Sequence, residues 1–506
     1  MKNSVRYKRR SKRSRAAKRS LVLIVLAGLT ALAIWSIARV FFASPSPRAP
    51  SAPRAAVRAT PPPARWTPAQ IAALRRTLND AFAPALSSRY SLAVIDATGR
   101  VIYDDHARSP VAPASVQKLI VADAALNLLG PDYRFHTLLA STRAPDEGTL
   151  EGNLWLIGSG DPSLRSDDLR SGVRLLARSG LRHIDGALAV DASMMSGPEI
   201  NRNWDPSDDN EDFQVPTSAV SLDDGTAEFR VYGLRAGDPA RVAVVPSSRD
   251  IRLTGAVRTS VSDDAVIIAP EPPNVFALGG DIPADTEEKF WLPVHDMPVY
   301  VADVFRRMLR QAGITVAQPP QFSKAPLDTI VLWDHRSAPL RTLIGHMLFV
   351  SDNHYAEQLM RTLAVDAGEA GTDANGLAAE RAFLRSRGIP TDGLHSVDGS
   401  GLAEDNRVCA LTLAWILSDA ELRDHGAELY PLLPAGGRDG TLINYDFTTA
   451  LGRVRAKTGH LSDASSLAGY VNTMHHGRVA FAFMINDSPG DPDSAYVRAV
   501  DRLAAF

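Results

Sequence analysis

The chain predicts an α/β protein in which one antiparallel sheet, flanked by helices, is assembled from both ends of the folded region and interrupted by β-rich inserted domains. Three observations carry this prediction. Apolar hairpin patterns lie near each end of residues 67–506, and long apolar helical runs lie between them. From about 137 to 310, short strands and turn-rich loops replace the helical periodicity. A length of 506 residues, 45% apolar and 22% charged, supports two or three such cores and excludes a disordered chain.

The N-terminal elements come first. Residues 1–20 are basic and 21–43 apolar; within the latter, Leu21–Ala38 runs 18 residues without a charge. As a helix of ~1.5 Å per residue it would reach about 27 Å, close to a bilayer core of about 30 Å. The positive-inside rule leaves 1–20 in the cytoplasm and everything past Arg39 outside. Two readings stay open: a retained anchor in the cytoplasmic membrane, which the long basic and apolar runs favour, or a signal cleaved near Ser36-Ile37-Ala38. Residues 44–66 are a Pro/Ala-rich, extended linker.

Charge and cysteine usage narrow the function. Residues 1–66 hold 15 Lys or Arg and no acid, leaving 40 basic against 57 acidic residues in 67–506. That balance excludes electrostatic nucleic-acid binding by the folded part. The single Cys409 excludes a disulfide framework and multi-cysteine metal sites. His-Glu-x-x-His is absent and His475-His476 reads as a surface turn, so neither a metal nor a cofactor is expected.

The folded region opens at Thr67-Pro68-Ala69-Gln70, a capping box with proline at the first helical position, ahead of Ile71, Leu74 and Leu78. A hairpin follows at Ser91–Asp96 and Val101–Asp104, then a buried helix at Val116–Leu129 ended by Gly130-Pro131. The inserted stretch predicts strands at Leu154–Ile157, Ala187–Asp191, Phe229–Tyr232 and Ala265–Ala269. Helices are predicted at Val301–Ala312 and Ser351–Ala364, then strands at Val454–Lys457, Ser466–Thr473 and Val479–Asn486, and a final helix. This divides the chain into a catalytic domain of 67–136 plus 311–506 and an insertion of 137–310.

Only eight of the 55 cations are lysines, and after residue 66 only Lys118, Lys289, Lys324 and Lys457 remain. Two of them stand in motifs. Ser115-Val116-Gln117-Lys118 is the one Ser-x-x-Lys, and Lys457-Thr458-Gly459 the one Lys-Thr-Gly, with Ser351-Asp352-Asn353 between. Ser115 and Lys118 share one face of an apolar helix, where burial and the helix dipole both disfavour the ammonium form. A neutral Lys118 can take the proton of Ser115, a step that arginine cannot perform. Ser351 would relay a proton towards a leaving amine, and Asn353 would hold Lys118 and a substrate amide. Lys457 and Thr458 place a cation and a hydroxyl at a cleft edge suited to a carboxylate, and Gly459 allows close backbone approach. Each motif alone is also what an ordinary helix cap or strand end looks like; the ordered set of three carries the argument.

With these motifs the sequence resembles the class C low-molecular-mass penicillin-binding proteins, which are serine D-alanyl-D-alanine carboxypeptidases/endopeptidases. The resemblance runs from about Leu86 to Asn486 and includes Gly158-Ser159-Gly160-Asp161-Pro162-Ser163-Leu164, Asp398-Gly399-Ser400-Gly401-Leu402 and Asp439-Gly440-Thr441-Leu442. It implies a β-lactamase/transpeptidase-like domain, with the 236 residues from Ser115 to Ser351 accommodating the insertion. It further implies Ser115 as nucleophile, Lys118 as base, Ser351 and Asn353 as partners, and Lys457, Thr458 and Gly459 as substrate-binding. The oxyanion would take the backbone N–H groups of Ser115 and His460. Peptidoglycan peptides would be the substrate, β-lactams inhibitors, and the periplasm the compartment. The acid-rich Asp205–Asp212 stretch aligns with a loop that approaches the cleft.

Two departures stand out. His460 replaces the common Thr or Ser, and Ala403-Glu404 replaces a common Ser-Arg. Two rivals remain at this level: a β-lactamase, for which no Glu-x-x-Leu-Asn loop is present, and a non-catalytic wall-binding scaffold, which the intact Ser115 and Lys118 disfavour.

Overall fold

The computed structural model describes residues 64–506 apart from 88, 207–210, 212, 272, 422, 424 and 425. The basic segment, the apolar segment 21–43, the linker up to residue 63 and most of the acidic 205–212 stretch lie outside the described residues. No described helix is long and apolar enough to cross a membrane.

Helix α1 (Pro68–Phe82) begins as its sequence requires: Gln70 N–H donates to Thr67 Oγ1 at 3.3 Å and Thr67 N–H to Gln70 Oε1 at 3.0 Å. The hairpin is β1 (Arg89–Ile95) and β2 (Val101–Asp105). A single 3₁₀ turn, Ala114–Gln117, leads into α2 (Lys118–Leu128), which stops before Gly130 at φ +86°.

The chain leaves this domain through β3 (His136–Ser141), β4 (Leu154–Ile157), α3 (Ser166–Arg178) and β5 (Leu188–Asp191). A smaller antiparallel sheet follows, of β6 (Thr226–Tyr232), β7 (Arg241–Val245) and β8 (Glu287–Pro293) in the order β8-β6-β7. Then come α4 (Met297–Gln311), β9 (Gln321–Phe322) and β10 (Ile330–Arg336). The larger sheet has the order β9-β5-β4-β3-β10, and α3 and α4 bury Leu169, Val173, Val301 and Phe305 in the core beside it.

This pairing moves the predicted boundary. The sequence pattern groups residues 311–336 with the C-terminal part of the chain, yet β9 pairs with β5 and β10 with β3. The helical pattern that marked the boundary is α4, and it packs inside the insertion. The neck lies at 135/337 instead, where Phe135 N–H donates to Ser337 Oγ and Ser337 N–H to the Phe135 carbonyl, both at 3.0 Å.

Beyond the neck lie α5 (Leu340–Val350), α6 (Asn353–Asp366), α7 (Asp373–Ser386) and α8 (Ala410–Ala420). The chain ends with β11 (Val454–His460), β12 (Ala464–Asn472), β13 (Arg478–Asn486) and α9 (Pro492–Ala504). The central sheet is antiparallel throughout, β11-β12-β13-β1-β2, so the first and last strands are neighbours, with Leu92 opposite Phe483. Period-two alternation sorts its residues between two cores. Leu92, Val94, Phe481 and Phe483 pack under α1 and α9, while Ala93, Ile95, Ala482 and Met484 face α2 and α8. Each large side chain removed from water here contributes about 1.5–3 kcal/mol.

His476 corrects the surface reading of His475-His476. It is 3% exposed, stacks on Trp66 at 4.1 Å between ring centroids, and its Nδ1 lies 2.7 Å from the Ala64 carbonyl. His475 is exposed.

Candidate active site

The three motifs converge at one cleft. Ser115 sits in the 3₁₀ turn, half-buried, after Ala114 held at φ +51°. Lys118 opens α2, fully buried. Its Nζ lies 3.0 Å from Ser115 Oγ and donates to Asn353 Oδ1 and the Ser400 carbonyl, both at 2.7 Å. Burial lowers its pKa from 10.5 to about 8, against the opposing pull of Asp398, Glu357 and Asp352. About a tenth of the amine is therefore neutral at pH 7.

Ser351 is not part of the predicted helix. It caps α5 in the left-handed region at φ +66°, and Asp352 caps α6 by accepting the Tyr355 N–H at 3.1 Å. This junction delivers Ser351 and Asn353 to the same cleft wall. Asn353 has a further partner: Nδ2 donates one of its two N–H groups to the Phe213 carbonyl at 2.9 Å. The insertion thus reaches Lys118 through one intervening side chain.

Lys457 and Thr458 also depart from expectation. Lys457 is 0% exposed and Thr458 4%, so neither stands at the cleft edge. Lys457 Nζ donates to the Thr458 carbonyl at 2.7 Å, and burial, then repulsion from Lys118, holds its pKa well below 10.5. Gly459 is needed because the Ala114–Gln117 turn lies against it: a Cβ there would meet Ser466 Oγ, Ser115 N at 2.7 Å and the Pro113 carbonyl oxygen at 2.9 Å. The close approach is made by the protein's own backbone. His460 is exposed and its Nε2 lies 3.0 Å from Asp493 Oδ2.

The cleft measures about 620 Å³. Ser115, Ser351, Asn353 and His460 line it together with Trp204, Phe213 and Glu404. Glu404, one of the departures, accepts the Ser462 hydroxyl at 3.2 Å. β11 is an outer strand of the five-stranded sheet; residues 434–436 hydrogen-bond to its edge at Val454 and Ala456, and its His460 end borders the cleft. Sequence reasoning missed the supporting role of residues 398–403. Asp398, 0% exposed, accepts the N–H groups of Gly401 and Ala403 at 2.7 Å, Asn406 Nδ2 at 2.8 Å and Trp204 Nε1 at 3.0 Å. The Asp-Gly-Ser-Gly-Leu run was the signal for it. Among the described residues no cluster suited to a metal ion occurs.

Residues 72–505 match the family described as D-Ala-D-Ala carboxypeptidase 3 (S13). The chain is 32% identical over 445 residues to a D-alanyl-D-alanine carboxypeptidase of Actinomadura sp. (strain R39), covering 84% of this chain and 82% of that one. It is 29% identical over 411 residues to D-alanyl-D-alanine carboxypeptidase DacB of Haemophilus influenzae, covering 79% and 86%. The crystal structure of penicillin binding protein 4 from Haemophilus influenzae is similar with a TM-score of 0.74 at 25% identity, covering 84% of this chain and 97% of that one.

Proposed function

The chain belongs to the D-Ala-D-Ala carboxypeptidase 3 (S13) family and is a serine-type peptidase, and from that premise we propose that it cleaves D-Ala-D-Ala and related D-amino-acid peptide bonds of peptidoglycan through an acyl-enzyme at Ser115. The observation that carries the assignment is the buried Lys118 Nζ 3.0 Å from Ser115 Oγ. Neutral Lys118 takes the hydroxyl proton as Ser115 Oγ attacks the scissile carbonyl carbon. The oxygen of that carbonyl gains negative charge and takes the N–H groups of Ser115 and His460. On collapse the C–N bond breaks, the departing amine gains a proton through Ser351, and water then releases the ester. Buried Lys457 contributes positive charge when protonated, behind Thr458. A β-lactam follows the same path, but its leaving amine stays tethered, so the ester persists.

Incubation with a labelled penicillin followed by peptide mapping should place the label on 115–118, and Ser115→Ala should abolish it. Label on Ser351, or none, would sink the assignment.

The compartment follows from segments outside the described residues. The basic 1–20 and apolar 21–43 support an enzyme exported to the periplasm and anchored in the inner membrane. The full chain should then resist extraction by high salt and carbonate. A soluble product beginning near Arg39 or Ser44 would mean a cleaved signal instead.

A further inference from the structure

Lys118 is aimed by three acceptors, and one of them is a backbone carbonyl whose position needs its own explanation. The Ser400 carbonyl lies in the turn 398–401, which has no helix or strand to hold it. Two buried carboxylates hold it instead. Asp398 takes the N–H groups on the far side of the turn, at Gly401 and Ala403. Glu357, 2% exposed, takes those on the near side. Its Oε1 accepts Ser400 N–H at 2.8 Å and Gly399 N–H at 3.1 Å, and its Oε2 accepts Gly399 N–H at 3.2 Å. Glu357 lies one helical turn after Asn353 on α6, so a single face of that helix addresses Lys118 twice. Asn353 does so directly, and Glu357 through the Ser400 peptide.

We propose that Glu357 is a positioning residue for the acylation step, holding the Ser400 carbonyl on Lys118 and supplying the negative charge that sets how tightly Lys118 keeps its proton. The inference rests on the assignment of Lys118 as base. The amide hydrogens accepted by both of its oxygens favour the ionised carboxylate. Burial, then Asp398 and Asp373, push in the opposite direction and raise its pKa from 4.5 to about 8, so its charge acts on Lys118 over the same pH range in which Lys118 itself loses its proton. Glu380, also fully buried, is held well above the usual carboxylate range by burial, with Glu357 and Asp398 adding to it. The charged groups facing Lys118 are Asp398, Glu357 and Asp352, which hold its proton, while Lys118 in turn lowers the proton affinity of Lys457. Ser400–Leu402 lie under the nucleophile turn as well, since a Cβ at Gly401 would meet Gln117 Cβ at 2.8 Å. Displacing this turn therefore moves both partners of the proton transfer.

The test is the pH profile of acylation by a fluorescent penicillin, measured on the full chain for wild type, Glu357→Gln and Glu357→Asp. Glu357→Gln removes the charge and one acceptor. Its rising limb should move to lower pH by about half a unit or more, and its plateau rate should fall about tenfold. Glu357→Asp keeps the charge on a shorter arm, so its limb should stay at the wild-type pH while its plateau falls. A limb unmoved in Glu357→Gln, with only the amplitude reduced, would make Glu357 a purely structural residue and overturn the proposal. Should Glu357→Gln not fold, a shifted limb in Glu357→Asp would overturn it equally. A wild type with no rising limb would remove the base assignment itself, which separates that failure from this one.

Discussion

At the scale of single residues, the chemistry turns on what burial does to an amine. Lys118 and Lys457 are both fully buried, and both lose affinity for protons because water no longer solvates the ammonium. For Lys118 the sign is definite. In the proposed mechanism the neutral form is the active one, so the acylation rate should rise about tenfold per pH unit below its pKa of about 8 and level off above it. A stopped-flow series with a chromogenic β-lactam from pH 6 to 10 checks this, and a rate that falls through that window would refute the neutral-base mechanism. Lys118→Arg keeps a cation and loses the base. The rate should drop by roughly 10²–10⁴, nearly as far as for Ser115→Ala, with the melting temperature as the control for folding.

At the scale of elements, the nucleophile turn is clamped between two backbone segments that tolerate no side chain. β11 crosses it at Gly459 and the 398–401 turn at Gly401, which sits at φ +81°. Ser466 completes the clamp by donating its hydroxyl to the Pro113 carbonyl at 2.6 Å. Gly459→Ala must displace the Ser466 hydroxyl that holds Pro113 and also push the turn away from β11, because its Cβ meets Ser466 Oγ and the backbone of Ser115 and Pro113. Acylation should fall by more than about tenfold. The melting temperature should drop by a few degrees, about what ~1 kcal/mol costs a chain with several domains. Unchanged acylation would show that the turn has slack that the geometry does not reveal. Positive φ recurs next to the cleft, at Ala114 (+51°), which precedes Ser115, and at Ser351 (+66°), which lines it.

At the scale of the whole molecule, the insertion is wired to the catalytic domain by polar contacts concentrated at the site. Trp204 Nε1 donates to Asp398, Asn201 Nδ2 to the Val397 carbonyl at 2.8 Å, and Arg361 to the Pro198 carbonyl at 2.7 Å. Gln358 adds a bond to the Ser218 carbonyl at 2.8 Å. Trp204→Phe deletes one donor to a fully buried carboxylate, a loss of about 1–3 kcal/mol. The urea midpoint should fall while unfolding remains a single transition. Two separate transitions in the variant would show that this contact couples the two parts.

How much of this could be read along the chain depends on how far each signal reaches. The capping box at Thr67, the alternation that splits Leu92 from Ala93, and the Ser-x-x-Lys spacing are local, set by neighbours within a few residues, and the structure reproduces them. The joining of the first and last strands followed from two hairpins with apolar faces and nowhere else to bury them. The insertion's true neck, the burial of Lys457 and His476, and the second partner of Asn353 could not be read this way. Each depends on segments at least 140 residues apart in the chain, or on how a whole side of the sheet is covered. A lysine in a strand has the same sequence whether its amine meets water or the interior. Only packing decides which, and here packing decides the proton affinity on which the proposed chemistry depends.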